Sequence, residues 1–316
     1  MSRRTLLFIR WGVFVAACAF LYLRLARHQG MHLTWSLWRN DGVALPWMAI
    51  AFVGSLMVLN WGIEAWKWRL LMVRVQRIGF ARAFIATIAG TSIGLITPNR
   101  VGEFAGRVLF LDPDHRVQGS FATLLGSIAQ FVVTLLVGGL ALMFGRNPMS
   151  SGTVGSDVVV WSALLIGCAA VFLYFSPGAF ARLLLAVPWL KRFERHAQVL
   201  DTIDRRTLVR VFALSLCRYA VFTLQFAWVL HAIAQVALME ALKAVPVVFL
   251  VTTLVPTTAF TELGIRGSVA VTFIPGDATA IVVSTALIWL INIVVPAVAG
   301  SLILLVARIR VAKDPA

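Results

Sequence analysis

Residues 95–111 read LITPNRVGEFAGRVLFL, and the reading of this stretch decides the fold. The 17 residues at positions 83–99 carry no charge, as suits a segment in lipid. Arg100, Gly102, Glu103 and Arg107 then follow Pro98 and Asn99 within ten positions, before apolar sequence resumes. Proline removes a helical hydrogen bond and crowds the preceding turn, so a helix stops there. Positions 103–111 are too few to cross a bilayer, which takes ~20 helical residues. The stretch therefore predicts a re-entrant hairpin. An apolar arm enters, Pro98 breaks it, Asn99 caps the return helix, and Gly102 belongs to the turn.

The rest of the chain suits a membrane. It has 316 residues, 60% of them hydrophobic and 13% charged, with mean hydropathy +0.90. Soluble domains carry about twice that charged fraction. Charge-free runs at 42–63, 117–145, 158–181, 219–239 and 278–307 reach spanning length. The pattern predicts an all-α polytopic membrane protein, a single integral domain over 1–316. Six spans are expected near 5–25, 43–66, 118–145, 157–176, 207–232 and 278–307, with broken segments at 81–111 and 240–275. The start, MSRRTLLFIRWGVFVAACAF, reads as a retained first span, because Arg10 interrupts what would be a signal peptide's apolar region.

A net charge of +15, from 28 Lys and Arg against 13 Asp and Glu, would suggest nucleic acid in a soluble protein. In this chain topology and anionic lipid account for it, and no nucleic-acid partner is expected. Cys18, Cys168 and Cys217 and the five histidines are scattered, which suggests neither disulfides nor a metal site, and no cofactor is implied. The longest polar piece, LKRFERHAQVLDTIDRRTLVR at 190–210, reads as an interfacial amphipathic helix with Phe193, Val199, Leu200 and Ile203 on its apolar side. A solvated linker helix fits equally well.

A second stretch echoes the first. Residues 250–273 read LVTTLVPTTAFTELGIRGSVAVTF, with Pro256, Thr257 and Thr258 at the break and Glu262 and Arg266 after it. Glu103 and Arg107 lie 159 positions earlier, about half the chain. Two structural repeats are expected, about 1–150 and 151–316. With hairpins that return to their own side, the inner segments hold 19 Lys and Arg and the outer segments five. Full crossings would move the seven basic residues of 177–210 outside, so the positive-inside rule favours hairpins and cytoplasmic termini. Three crossings per half invert the second repeat, an architecture of transporters.

A charge at bilayer depth costs about 2.5–3.5 kcal/mol, so it needs a partner or an aqueous cavity. Glu103 with Arg107, and Glu262 with Arg266, are spaced to meet on one helix face. Arg100 has no carboxylate of its own, although Glu64 could reach it. Two helix N-termini with Arg100, Arg107 and Arg266 would suit phosphate, with Glu103 and Glu262 as counter-charges that couple transport. The same pairs could simply neutralise themselves for insertion. The glycines at 90, 94, 102 and 106 suit close helix packing. In NWGIEAWKWRLL, Asn60, Glu64, Lys67 and Arg69 with three tryptophans read mainly as an interfacial anchor. Arg218 and Gln225 could line a polar path, whereas Gln130 and Asn292 suit interhelical hydrogen bonds.

At these residues the chain resembles the membrane (flippase-like) domain of the lysylphosphatidylglycerol synthase family. PNRVGEFAGRVLFL is similar to that family's first signature, and PTTAFTELGIRG keeps the proline and an arginine of its second but lacks the paired glycines. WKWRLL and RYAVFTLQF also look like the family. The resemblance implies a stand-alone lipid-transport module without the soluble aminoacyl-transferase domain. The expected function is translocation of an anionic phospholipid or polyprenyl-phosphate lipid across a bacterial inner membrane, with a lipid-modifying enzyme as a possible partner. The alternative is a membrane enzyme, or its accessory subunit, for lipid-linked head-group or glycosyl modification. Against it, the sequence has no nucleotide-binding loop and no nucleophile–base pair.

Overall fold

A computed structural model describes residues 47–97, 100–144, 154–255 and 259–307. The expected first span, the Pro98–Asn99 and Pro256–Thr257–Thr258 breaks and both termini lie outside the described residues. Helix dominates, and no strand occurs among the described residues. The helices are α1 (Trp47–Met72), α2 (Phe80–Leu95), α3 (Gly102–Val108), α4 (Arg116–Phe144), α5 (Val154–Tyr174), α6 (Pro177–Leu185) and α7 (Glu194–Ala197). They continue with α8 (Arg205–Ala234), α9 (Leu238–Leu254), α10 (Ala259–Phe273), α11 (Ala278–Trp289) and α12 (Val295–Val306).

Among the described residues, Pro113–Met143, Arg205–Ala234 and Ala278–Val306 are long and apolar enough to cross a bilayer. The pair Leu165–Tyr174 and Pro177–Leu185, bent by 99°, could make a fourth. Helix α1 has 26 residues but carries Glu64, Lys67 and Arg69 in its second half. These helices handle their polar groups internally, as apolar surroundings demand. Thr123, Thr252, Thr285 and Ser301 each return a hydroxyl to the carbonyl four residues back. Asp204 caps α8, accepting from the Thr207 amide at 3.2 Å and hydroxyl at 2.8 Å, and Asp277 caps α11 through the Ala280 amide at 2.8 Å.

Both broken segments double back. Gln76, before α2, donates to the Asp112 carboxylate at 2.7 Å and accepts from its amide at 2.9 Å, so the chain leaves the first segment where it came in. The second segment closes with Gly276 against Val236 and Ala234, at the end of α8. Arg74, beside the base of the first hairpin, pairs at 3.4 Å with Asp204, at the start of α8. The two bases therefore lie at opposite ends of α8, a helix of 30 residues.

Each hairpin's first arm packs on a long helix from the other half of the chain. Helix α2 packs on α12, where a Cβ on Gly300 would collide with the Ile88 carbonyl and the Ser92 hydroxyl. Helix α9 packs on α4, where a Cβ on Gly138 would come within 2.5 Å of Leu250 Cβ. Side-chain-free contact at both crossings lets the backbones approach.

The polar segment departs from the single amphipathic helix expected. It forms α7 between two 3₁₀ turns, Pro188–Phe193 and Gln198–Thr202. Val199, Leu200 and Ile203 are buried in the protein core with Met72, Ile78 and Leu111, so its apolar side faces protein. Leu183 and Trp189 point outward instead.

Candidate functional site

The apolar core is split. One cluster lies around the base of the first hairpin and one around the base of the second. A third, smaller cluster joins Leu95 at the end of α2 to Leu263, Trp289 and Ile293, so it brings the two broken segments together. Between the two large clusters runs a layer of charged and amide side chains.

Glu64 on α1 is its centre. Its carboxylate receives Lys67 at 2.6 Å, Arg107 at 2.7 Å and Arg218 at 3.3 Å. The side chains of Glu64, Lys67 and Arg107 are 5%, 2% and 5% exposed. Glu103 is bound by Arg100, and more loosely by Arg107 at 3.5 Å. Arg218 lies near the middle of α8, with its guanidinium 5.4 Å from the centre of the Trp61 ring. It donates to Asn60 at 2.8 Å and Gln130 at 3.4 Å, while Asn60 donates to Asn292 at 3.4 Å. Asn292 sits in a π-helical turn, Leu290–Val294, that interrupts α11 and α12. Such turns often mark functional positions.

The local sequence explains the first hairpin's shape. The Thr97 hydroxyl accepts from the Gly102 amide at 2.8 Å and reaches the Ile93 and Gly94 carbonyls, tying the start of α3 to the end of α2. Arg100 adopts a left-handed backbone, φ 58°, which turns the chain back. Helix α3, seven residues long, then packs so tightly on α2 that a Cβ on Gly106 would lie 2.6 Å from Gly90 Cα. The glycine stripe is a packing device, as its spacing suggested. Glu103 occupies the first turn of α3, so a carboxylate of the chain itself already answers that helix end.

Several expectations change in detail. Arg107 makes its shorter contact with Glu64 of α1, at 2.7 Å, and the longer one with Glu103 of its own helix, at 3.5 Å. Glu64 does not take Arg100, which turns to Glu103. Of the expected anchor, only Trp66 and Arg69 are exposed, whereas Asn60, Glu64 and Lys67 are buried. Glu262 and Arg266 pair as their spacing predicts, at 2.8 Å, with Glu262 buried and the Arg266 side chain 26% exposed. Gln130 and Asn292 do make interhelical hydrogen bonds. Gln225 is buried and donates to the Val53 carbonyl at 2.8 Å, joining α8 to α1 away from the ion cluster.

The role of Lys67 and the central place of Glu64 were missed in the sequence. Their i, i+3 spacing on a helix that ends in tryptophans looks like an interface. A signal was available: Asn60, Glu64 and Lys67 recur at helical spacing along one stripe of α1.

Among the described residues no group of three or more His, Cys, Asp or Glu could hold a metal ion. Comparison with protein-family models, curated proteins and solved structures returned no match.

Proposed function

We propose that this protein is a lipid translocase of a bacterial inner membrane, moving a phosphate-bearing lipid past a mid-depth charged layer between two re-entrant hairpins. The observation that carries this reading is the placement of the hairpin bases at opposite ends of α8, with Arg218 and its partners between them. Hairpins inserted from opposite faces and meeting in the middle are how inverted-repeat transporters build a site that either side can reach.

Six crossings with cytoplasmic termini follow from this reading, as does a two-fold relation between the halves. The charged layer supports that relation. Asn60 and Arg218, 158 positions apart, bond to each other, and each also bonds to an amide at corresponding positions of the other half, Asn292 and Gln130. The motif resemblance to the lysylphosphatidylglycerol synthase flippase-like domain points the same way, toward a stand-alone transport module working beside a lipid-modifying enzyme.

The test is reconstitution in liposomes with head-group-labelled phospholipid and polyprenyl phosphate. Protein-dependent movement is expected, and is lost in the folded double variant Glu103→Gln, Arg107→Gln. Movement that survives in that variant rejects the site. Turnover of a lipid-linked donor without movement favours the membrane enzyme.

A further inference from the structure

The charged layer is not neutral. Lys67, Arg100, Arg107 and Arg218 surround two carboxylates, Glu64 and Glu103. Glu262 and Arg266 cancel each other beside them. Among the described residues no third carboxylate pairs with the four cations. Two positive charges are therefore left over in a largely buried layer, where an uncompensated charge is strongly destabilising. The donors are in surplus too. Arg100 Nε, Arg107 Nε and Trp61 Nε1 are buried with no acceptor among the described residues. An anion supplies acceptors and charge together.

The cations form two tiers. Lys67 and Arg107 are nearly closed off, with side chains 2% and 5% exposed, and are held by Glu64. Arg100 and Arg218 keep 28% and 21% of their side chains accessible. Arg100 and Arg218 are thus the cations of this layer that stay open to contact from outside it.

Resting on the translocase reading, we infer that the site takes a phosphate monoester, with up to two negative charges, in preference to a singly charged phosphodiester. A monoester offers three terminal oxygens and a charge of about −1.5 to −2 at neutral pH, which matches the surplus. A phosphodiester offers two such oxygens and one charge, and leaves one cation unanswered. The same chemistry could come from a lipid head group or from free phosphate.

The test uses the full chain in phosphatidylcholine nanodiscs, titrated with dodecyl phosphate, dodecyl methyl phosphate and inorganic phosphate at pH 8. The first two share a tail and differ by one charge and one oxygen. Dodecyl phosphate is expected to bind at least about tenfold more tightly than its methyl diester, a difference of ~1.4 kcal/mol. Gln130→Glu places a fixed carboxylate next to Arg218 with almost no change of shape. It is expected to raise the melting temperature of the ligand-free protein and to bring the monoester-to-diester ratio close to one. Arg100→Asn, which suits the left-handed backbone there, should lower the ratio in the same way.

Equal affinity for monoester and diester, no binding of either, or a ratio unchanged in both variants overturns the charge inference, whatever lipid moves in liposomes. A clear monoester preference with no lipid movement overturns the translocase reading instead. Inorganic phosphate binding as tightly as dodecyl phosphate supports the dianion and rejects a lipid as its source.

Discussion

The two hairpins carry the same Glu-x-x-x-Arg motif and use it differently. The first has arms of 16 and seven residues, locked together through Gly90 and Gly106, and its charges join a network with α1 and α8. The second has arms of 17 and 15 residues, and its pair closes on itself beneath Trp289 and Leu263. Spacing at i, i+4 decides only that two charges can meet. What they meet instead depends on the neighbour: α1 presents Glu64 to the first hairpin, and Arg266 meets its own Glu262.

That contrast can be broken most sharply at its centre. Glu64→Gln leaves Lys67, Arg107 and Arg218 without their shared carboxylate, and should cost about 3–5 kcal/mol, the scale for breaking a buried ion pair. Thermal unfolding in nanodiscs is expected to show a large loss of stability together with loss of lipid movement. A variant with native stability would mean the network has another counter-ion.

The arginines come next. Arg107→Gln should destabilise by ~3 kcal/mol because its partners stay buried, whereas Arg266→Gln, with a quarter of its side chain exposed, should cost closer to ~1 kcal/mol. Equal losses would make the two hairpins equivalent after all. Glycine substitutions probe packing rather than charge. Gly106→Leu forces apart α2 and α3 and should cost about 1–3 kcal/mol, while Gly264→Ala in α10, with nothing within 4 Å of a new Cβ, should be neutral or stabilising by ~0.5 kcal/mol. Of the two variants, only Gly106→Leu should lower the melting temperature.

The smallest effect lies at the ion pair that ties the first hairpin's base to α8. The Thr207 hydroxyl, then its amide and Arg74, hold the Asp204 carboxyl below its ordinary value. A depressed folded value means a contribution present above the unfolded value, ~3.9, and lost as pH falls through the lower, folded one. Asp204→Asn should therefore be slightly less stable than wild type at pH 7, and the two melting curves should converge as the pH falls below ~3.9.

The elements were legible because their cause is local. The spans expected near 43–66, 118–145, 157–176, 207–232 and 278–307 match α1, α4, α5, α8 and the α11–α12 unit within a few residues, apart from a longer C-terminal end of α1. Proline and glycine marked the breaks for the same reason. The 190–210 segment misled because its basic and apolar residues do alternate at helical spacing, yet two 3₁₀ turns bend Val199, Leu200 and Ile203 onto the core. The anchor reading of NWGIEAWKWRLL failed at Asn60, Glu64 and Lys67, since a polar stripe on α1 does not by itself say that α8 and the first hairpin supply its partners.

By itself, then, the sequence determined the helices, the two breaks, the paired carboxylates and arginines after them, and the excess of positive charge. These follow from hydropathy, proline chemistry and spacing along one chain. Only the tertiary structure decided that Glu64, not Glu103, holds Arg107, that Lys67 is buried, and that Arg218 joins the same layer. Those choices depend on which helix faces are pressed together across 43 positions for Arg107 and 154 for Arg218, and a buried charge takes whichever partner the packing brings within reach.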